Sequence, residues 1–225
     1  PLQGIRVLDF TAMIAGPYCT RLLADSGAEV TKIEPPEGDY MRGREPVRGE
    51  GFSAYYGILN CGKRSLWLDL KKPEARELVY DLVKQCDVLV ENFRPGVMRR
   101  LGFEFATLEA KNPRLIYCSI SGYGQHGEAS QRPAFAPSVH AGSGYELANL
   151  RYQDDPKQPL KSAMFIADYM TGVHAYGGVC AALVRRARTG QGEYVDCALM
   201  DSMIGMLAYE CAAAQFPVRR PRPIF

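Results

Sequence analysis

None of the seven cysteines of this 225-residue chain stands in a Cys-x-x-Cys pair, and their number is odd. A zinc ribbon therefore lacks its spacing and a disulfide framework lacks its pairs, so no metal site is expected, and reduced thiols in a cytoplasm are. Histidine is scarce, with only His126, His140 and His174, and no Gly-x-Ser-x-Gly elbow is present, which leaves a serine hydrolase without its parts. No Gly-x-Gly-x-x-Gly follows the first apolar run. The loop there, "TAMIAGP", has the single glycine Gly16, so a nicotinamide or flavin dinucleotide lacks its fingerprint. A Walker lysine motif is missing too. The opening residues do not read as a basic-then-apolar leader, and the longest apolar stretch, "ALMDSMIGMLAYECAAAQF", is broken by Asp201 and Glu210, which argues against a membrane span. A formal charge of +2 sets up no field that would draw nucleic acid or an acidic membrane.

What is present describes a globular chain, 47% hydrophobic and 23% charged, long enough to bury a substantial core. "IRVLDF" is a short apolar run. "GPYCTRLLADSG" follows, with Pro17 placed to start a helix and Gly27 to stop it, and "AEVTKIE" reads as a second strand. The pattern repeats in "RSLWLDL", a helix from Pro73 through "EARELVYDLVKQC", and the strand "DVLVENF". Leu78, Leu82 and Val83, with Val79 beside them, are expected to form that helix's apolar face. Short helical pieces at "PGVMRRLGF" and "FATLEAKN" lead to the strand "RLIYCSIS". A polar loop then spans Gly122 to Pro137, a helix runs from about Asp168 to Arg188, and "EYVDCAL" leads into one last helix. Apolar strands alternating with helices predict an α/β fold with a doubly wound parallel sheet. The basic pairs Lys63-Arg64, Arg99-Arg100 and Arg185-Arg186 read first as solvated surface.

One carboxylate stands out. Asp168 follows the apolar "MFIA" and heads a stretch of small residues that includes Thr171, Gly172, Ala175, Gly177 and Gly178. Aspartate is a common helix N-cap, and glycines in a helix point to a close backbone approach. A helix N-terminus would also keep the carboxylate ionised, as a nucleophile requires. His174 lies six residues on, about 240° round the helix, so it would not share a face with Asp168.

Seven segments in order resemble the family III CoA-transferases, which include formyl-CoA transferase and the alpha-methylacyl-CoA racemases. They are "GIRVLDFTAMIAGPYCTRLLADSGAEVTKIEPPEGD", "NCGKRSLWLDLKKPEARE", "DVLVENFRPGVMRRLGF", "NPRLIYCSISGYGQHG", "QRPAF", "ADYMTGVHA" and "RARTGQGEYVDCALMDS". The resemblance implies a Rossmann-like large domain over 1–225, here the N-terminal part of a longer chain whose small domain is absent, and an interlocked homodimer. It implies Asp168 as nucleophile, with acyl-CoA as a substrate rather than a resident cofactor. It also implies CoA contacts at Asn60, Cys61, Gly62 and Lys63, at Asn92, Phe93, Arg94 and Arg100, and at Arg132, Pro133, Ala134 and Phe135. A glycine loop that helps hold the oxyanion would lie beyond these residues, and the acyl pocket would draw on residues 136–155. Ile14 stands where formyl-CoA transferase has a glutamine, and Pro35 where an arginine is common, which turns the expectation away from formate or oxalate. Racemases of the family pair the aspartate with a histidine; its position here is Phe135, and His140 would serve only if the loop slid. CoA transfer is the reading expected, ahead of racemisation and of a non-catalytic CoA-binding or interaction module.

Overall fold

Six apolar runs become strands in the computed structural model, which describes residues 1–47, 53–150, 153, 157–159 and 162–216. They are β1 (Arg6–Asp9), β2 (Glu29–Glu34), β3 (Lys63–Trp67), β4 (Val88–Glu91), β5 (Ile116–Ser121) and β6 (Glu193–Ala198). Every pairing is parallel, and the order across the sheet is β3-β2-β1-β4-β5-β6. Successive strands run outward from β1 in one direction and from β4 in the other, which is the doubly wound, Rossmann-like arrangement. β4 and β5 are buried at every position, as strands covered on both faces must be, while the edge strand β3 is half exposed.

Side chains alternate across a strand, so each run feeds two cores. Val7, Val30, Val88, Val90, Ile116, Cys118 and Ile120 pack on one face against α1 (Ala15–Asp25) and α8 (Ile166–Thr189). Leu8, Phe10, Ile33, Leu89 and Tyr117 pack on the other, against α3 (Pro73–Val83), α4 (Val97–Leu101) and α5 (Phe105–Glu109). The remaining helices are α2 (Ala54–Asn60), α6 (Ala136–Ser143), α7 (Tyr145–Leu150), α9 (Leu199–Met206) and α10 (Ala208–Gln215). None of the described helices is long and apolar enough to cross a membrane.

Several local expectations need correction. Pro17 is the third residue of α1, not the first, although it still lies in the turn whose amides have no intrahelical acceptor. The buried stripe of α3 is Ala75, Val79 and Val83, at a strict spacing of four, and Leu78 is 42% exposed. The last helix is two, α9 and α10, divided at Leu207. The polar loop ends at Phe135, because Ala136 and Pro137 already belong to α6. Arg186 is no solvated helix end. Its guanidinium is buried, pairs with Asp87 at 2.9 Å and donates to the carbonyls of Asp87 and Arg114, tying α8 to the start of β4 and β5. Close approach explains two of the three helical glycines. A Cβ at Gly172 would sit 2.8 Å from the Ala15 carbonyl oxygen of α1, and one at Gly178 would sit 2.9 Å from Val195 of β6, whereas Gly177 faces open space.

Candidate active site at the carboxyl edge of the sheet

Parallel strands deliver all their C-terminal ends to one edge, and between β1 and β4 the following segments turn to opposite faces, leaving a crevice. A cavity of about 770 Å³ opens there. Residues after β1 (Met13, Ile14), after β4 (Asn92 to Pro95) and at the end of β5 (Ser121, Gly122) line it, together with Asp168 in the first turn of α8. Buried Ile14, Ile120, Ala136 and Leu199 give it an apolar side, and exposed Arg44, Arg94 and Arg132 stand around it.

The loop after β1 is fixed from two directions. The Asn92 side-chain amide donates to the Ala12 carbonyl at 2.7 Å, and its carbonyl oxygen accepts from the Ala12 amide at 2.8 Å. Beneath the loop, buried Lys32 donates to the Thr11 carbonyl at 2.6 Å and pairs with Asp39 at 3.0 Å. Asp9, fully buried, accepts from the Thr11 amide, the Thr20 hydroxyl and the Lys63 ammonium. Burial pushes the Asp9 carboxyl up, but Lys63, Lys32 and the two threonines outweigh it and hold its pKa down to about 2. So clamped, the loop carries Met13 at a φ of 67°, the left-handed region that a side chain adopts only under local constraint.

Asp168 is the third residue of α8, not its N-cap; that place belongs to Phe165, whose side chain offers no acceptor. The cap comes from elsewhere. The Ala167 amide donates to Nε2 of buried His140 on α6, at 3.1 Å. Burial raises the Asp168 carboxyl to about 6 and outweighs the contribution of its own amide, so the helix terminus does not dominate its ionisation as expected. Close by, the Tyr55 and Tyr169 hydroxyls share a hydrogen bond of 3.2 Å, and burial pushes the Tyr55 phenol well above its ordinary range.

Residues 2–224 match the family described as CoA-transferase family III. The chain belongs to that family. It is 39% identical to a succinate–glutarate CoA-transferase of Agrobacterium fabrum over 92% of this chain and 53% of the relative. It is 42% identical to a succinyl-CoA:mesaconate CoA-transferase of Haloarcula hispanica over 91% of this chain and 53% of that protein. A solved CAIB/BAIF family protein from Brucella suis superposes with a TM-score of 0.91 at 37% identity, covering 99% of this chain and 59% of its own. The chain thus spans about half the length of the curated relatives it matches.

Within this family III chain, the candidate CoA residues fall into two groups. Asn92, Phe93, Arg94, Arg132, Ala134 and Phe135 line the cavity with Asp168, and Pro133 sits exposed in the same loop. Asn60, Cys61, Gly62 and Lys63 lie at the junction of α2 and β3, outside the cavity lining. There the Lys63 ammonium donates to Asp9, to the Pro17 carbonyl and to Asn60, each at 2.9 Å, with its side chain 2% exposed. Cys61 and Gly62 are exposed. Arg100, exposed on α4, does not line the cavity either. Of the expected acyl-pocket stretch, residues 151, 152, 154 and 155 lie outside the described residues, and Ala136 and Pro137 line the cavity. Sequence reasoning missed Arg44, Tyr55 and Ser121 as cavity residues: Arg44 and Tyr55 stand in segments without a motif, and Ser121 reads only as part of a buried strand.

Proposed function

We propose that the chain is the CoA-binding and catalytic large domain, residues 1–225, of a CoA-transferase that moves CoA from an acyl-CoA to a carboxylic or dicarboxylic acid through Asp168. The observation that carries this reading is Asp168 itself, a largely buried carboxylate on the wall of the cavity at the sheet's switch point. Relatives named for succinate, glutarate and mesaconate support a dicarboxylic acceptor. A homodimer in a reducing cytoplasm, with no resident cofactor, belongs to the same proposal.

The chemistry balances without a metal or an external base. An Asp168 carboxylate oxygen attacks the acyl carbonyl carbon, and CoA leaves as its thiolate, giving a mixed anhydride. The thiolate attacks the aspartyl carbonyl, expels the donor acid as a carboxylate and leaves an aspartyl-CoA thioester. The acceptor carboxylate displaces the thiolate from that thioester to form a second anhydride. Attack of the thiolate on the acceptor's carbonyl then releases the new acyl-CoA and restores Asp168. A carboxyl with a pKa of about 6 is still about nine-tenths ionised at pH 7, and it is a stronger nucleophile than an ordinary aspartate. The exposed Arg94 and Arg132 are candidates for the CoA phosphates.

Exchange of CoA from succinyl-CoA to glutarate by the full-length polypeptide tests this. The turnover rate is expected to climb between pH 5 and 7 with a midpoint at about 6, because the ionised form of Asp168 is the active one. A rate that is flat from pH 5 to 8, or absent with every dicarboxylic acid tried, overturns the reading.

Racemisation is not expected. Phe135 occupies the position at which the resemblance places the racemase histidine, and His140 Nε2 is already engaged by the Ala167 amide. A 2-methylacyl-CoA incubated with the enzyme in deuterated water should gain no α-deuterium above the uncatalysed rate. Rapid incorporation would return a second base to the site.

A further inference from the structure

A helix begins with four amides that have no intrahelical acceptor, and local Ser, Thr, Asp or Asn side chains usually supply one. α8 has none at its N-cap, which is Phe165, and the acidic residue of its first turn, Asp168, meets only its own amide and lines the cavity. The acceptor is imported from α6, 27 residues earlier, where His140 Nε2 takes the Ala167 amide at 3.1 Å. The imidazole is 2% exposed, and its ring lies 5.2 Å from that of Tyr145. An imidazole nitrogen accepts only while unprotonated, so the cap requires neutral His140 with its proton on Nδ1.

The charged groups on the elements packed against α6 are Glu146 on α7, Asp201 on α9 and, on α8, Asp168 in the first turn with Arg185, Arg186 and Arg188 at the opposite end of that helix. Burial lowers the His140 pKa, against a weaker opposing pull from Glu146, so the ring stays neutral at pH 7. Two effects on the next residue follow. The first turn of α8 is anchored to α6, which fixes where the Asp168 carboxylate points. The Ala167 N–H is also directed at the imidazole, so it is withheld from the neighbouring carboxylate, which it would otherwise stabilise as an anion.

We propose that His140 is a positioning residue for the nucleophile: as a neutral cap in trans it sets the direction and the basicity of Asp168. This rests on the reading of Asp168 given above. It assigns His140 a role different from that of a catalytic base, since the nitrogen that would take a proton already holds an amide.

Three substitutions in the full-length polypeptide separate this role from simple packing. Gln places its oxygen near the position of Nε2 and can keep the cap. Asn is polar but too short to reach the amide, and Leu fills the space without an acceptor. His140→Asn and His140→Leu are expected to lower kcat by about 10- to 100-fold, in keeping with a displaced reacting group, while KM for the acyl-CoA changes little. In both, the acid limb of kcat should shift below the wild-type midpoint as the freed amide turns to the carboxylate. His140→Gln should restore most of kcat and the original limb. If His140→Leu fails to fold, the comparison of Asn with Gln decides. A purely structural histidine predicts lower thermal midpoints but an unchanged kcat and acid limb per folded molecule, and that result overturns the proposal. Hydroxylamine trapping on the wild type distinguishes the two readings. Label at residue 168 with normal Asn and Leu variants rejects the positioning role alone, whereas no label at 168 rejects the nucleophile and this proposal together.

Discussion

Asp168→Ala is expected to lower CoA exchange by roughly 10³-fold or more, because no other described carboxylate in the cavity takes part in the proposed covalent cycle. Hydroxylamine added during turnover of the wild type should convert residue 168 to a hydroxamate, visible as a mass shift on one peptide and absent from the variant. CoA affinity should change little, since Arg44, Arg94 and Arg132, the cations lining the cavity, are untouched. The same residue predicts a stability effect of opposite sign. Burial raises the Asp168 pKa from an ordinary 3.8 to about 6, so the folded protein holds a proton that the unfolded chain releases between those values. Stability therefore falls as pH rises through that window, and the full cost is present above it. Asp168→Asn removes the buried charge and should stabilise the fold at pH 7.5 by up to about 3 kcal/mol, with little gain at pH 4. A variant that still moves CoA between two acids, or one that loses stability at pH 7.5, contradicts the assignment.

The strands were legible because their apolar runs are continuous and their punctuation is local. Val88 to Glu91 and Ile116 to Ser121 are buried at every position, and Pro73 and Gly27 stand where helix boundaries call for them. The helices α6 and α7 were not legible. "APSVHAGSGYELANL" contains a proline and two glycines, is short, and shows no sustained spacing of apolar residues. Asp168 could be picked out by its segment, but its environment could not. Burial sets its ionisation, and His140 on α6 holds the amide of the residue before it; neither leaves a trace in the sequence around residue 168. Charges misled for the same reason. Arg186 reads as surface until it meets Asp87, 99 residues away, and nothing in the segment around Lys63 announces its pairing with Asp9, 54 residues away.

Lys63 offers the second large effect. Its ammonium is the nearest cation to a carboxylate with no exposure to water, and removing one partner of such a pair leaves an uncompensated buried charge. Lys63→Met keeps the stem and deletes the charge, and it is expected to destabilise the fold by about 3–5 kcal/mol at pH 7. The pH dependence follows from the Asp9 pKa of about 2. In the wild type the carboxylate contributes stability above its unfolded pKa and loses it as pH falls through 2. In the variant only Lys32 and the two threonines still oppose burial, so the Asp9 pKa climbs and protonation relieves the buried charge at a higher pH than in the wild type. The gap between the two urea midpoints should therefore be widest at pH 7 and narrow toward pH 4. Activity should fall as well, because Asp9 holds Thr11, and the loop that follows presents Met13 and Ile14 to the cavity. Should the midpoints coincide while only the affinity for CoA drops, Lys63 acts at the ligand, as the family resemblance implies, and the buried pair is not what steadies that loop.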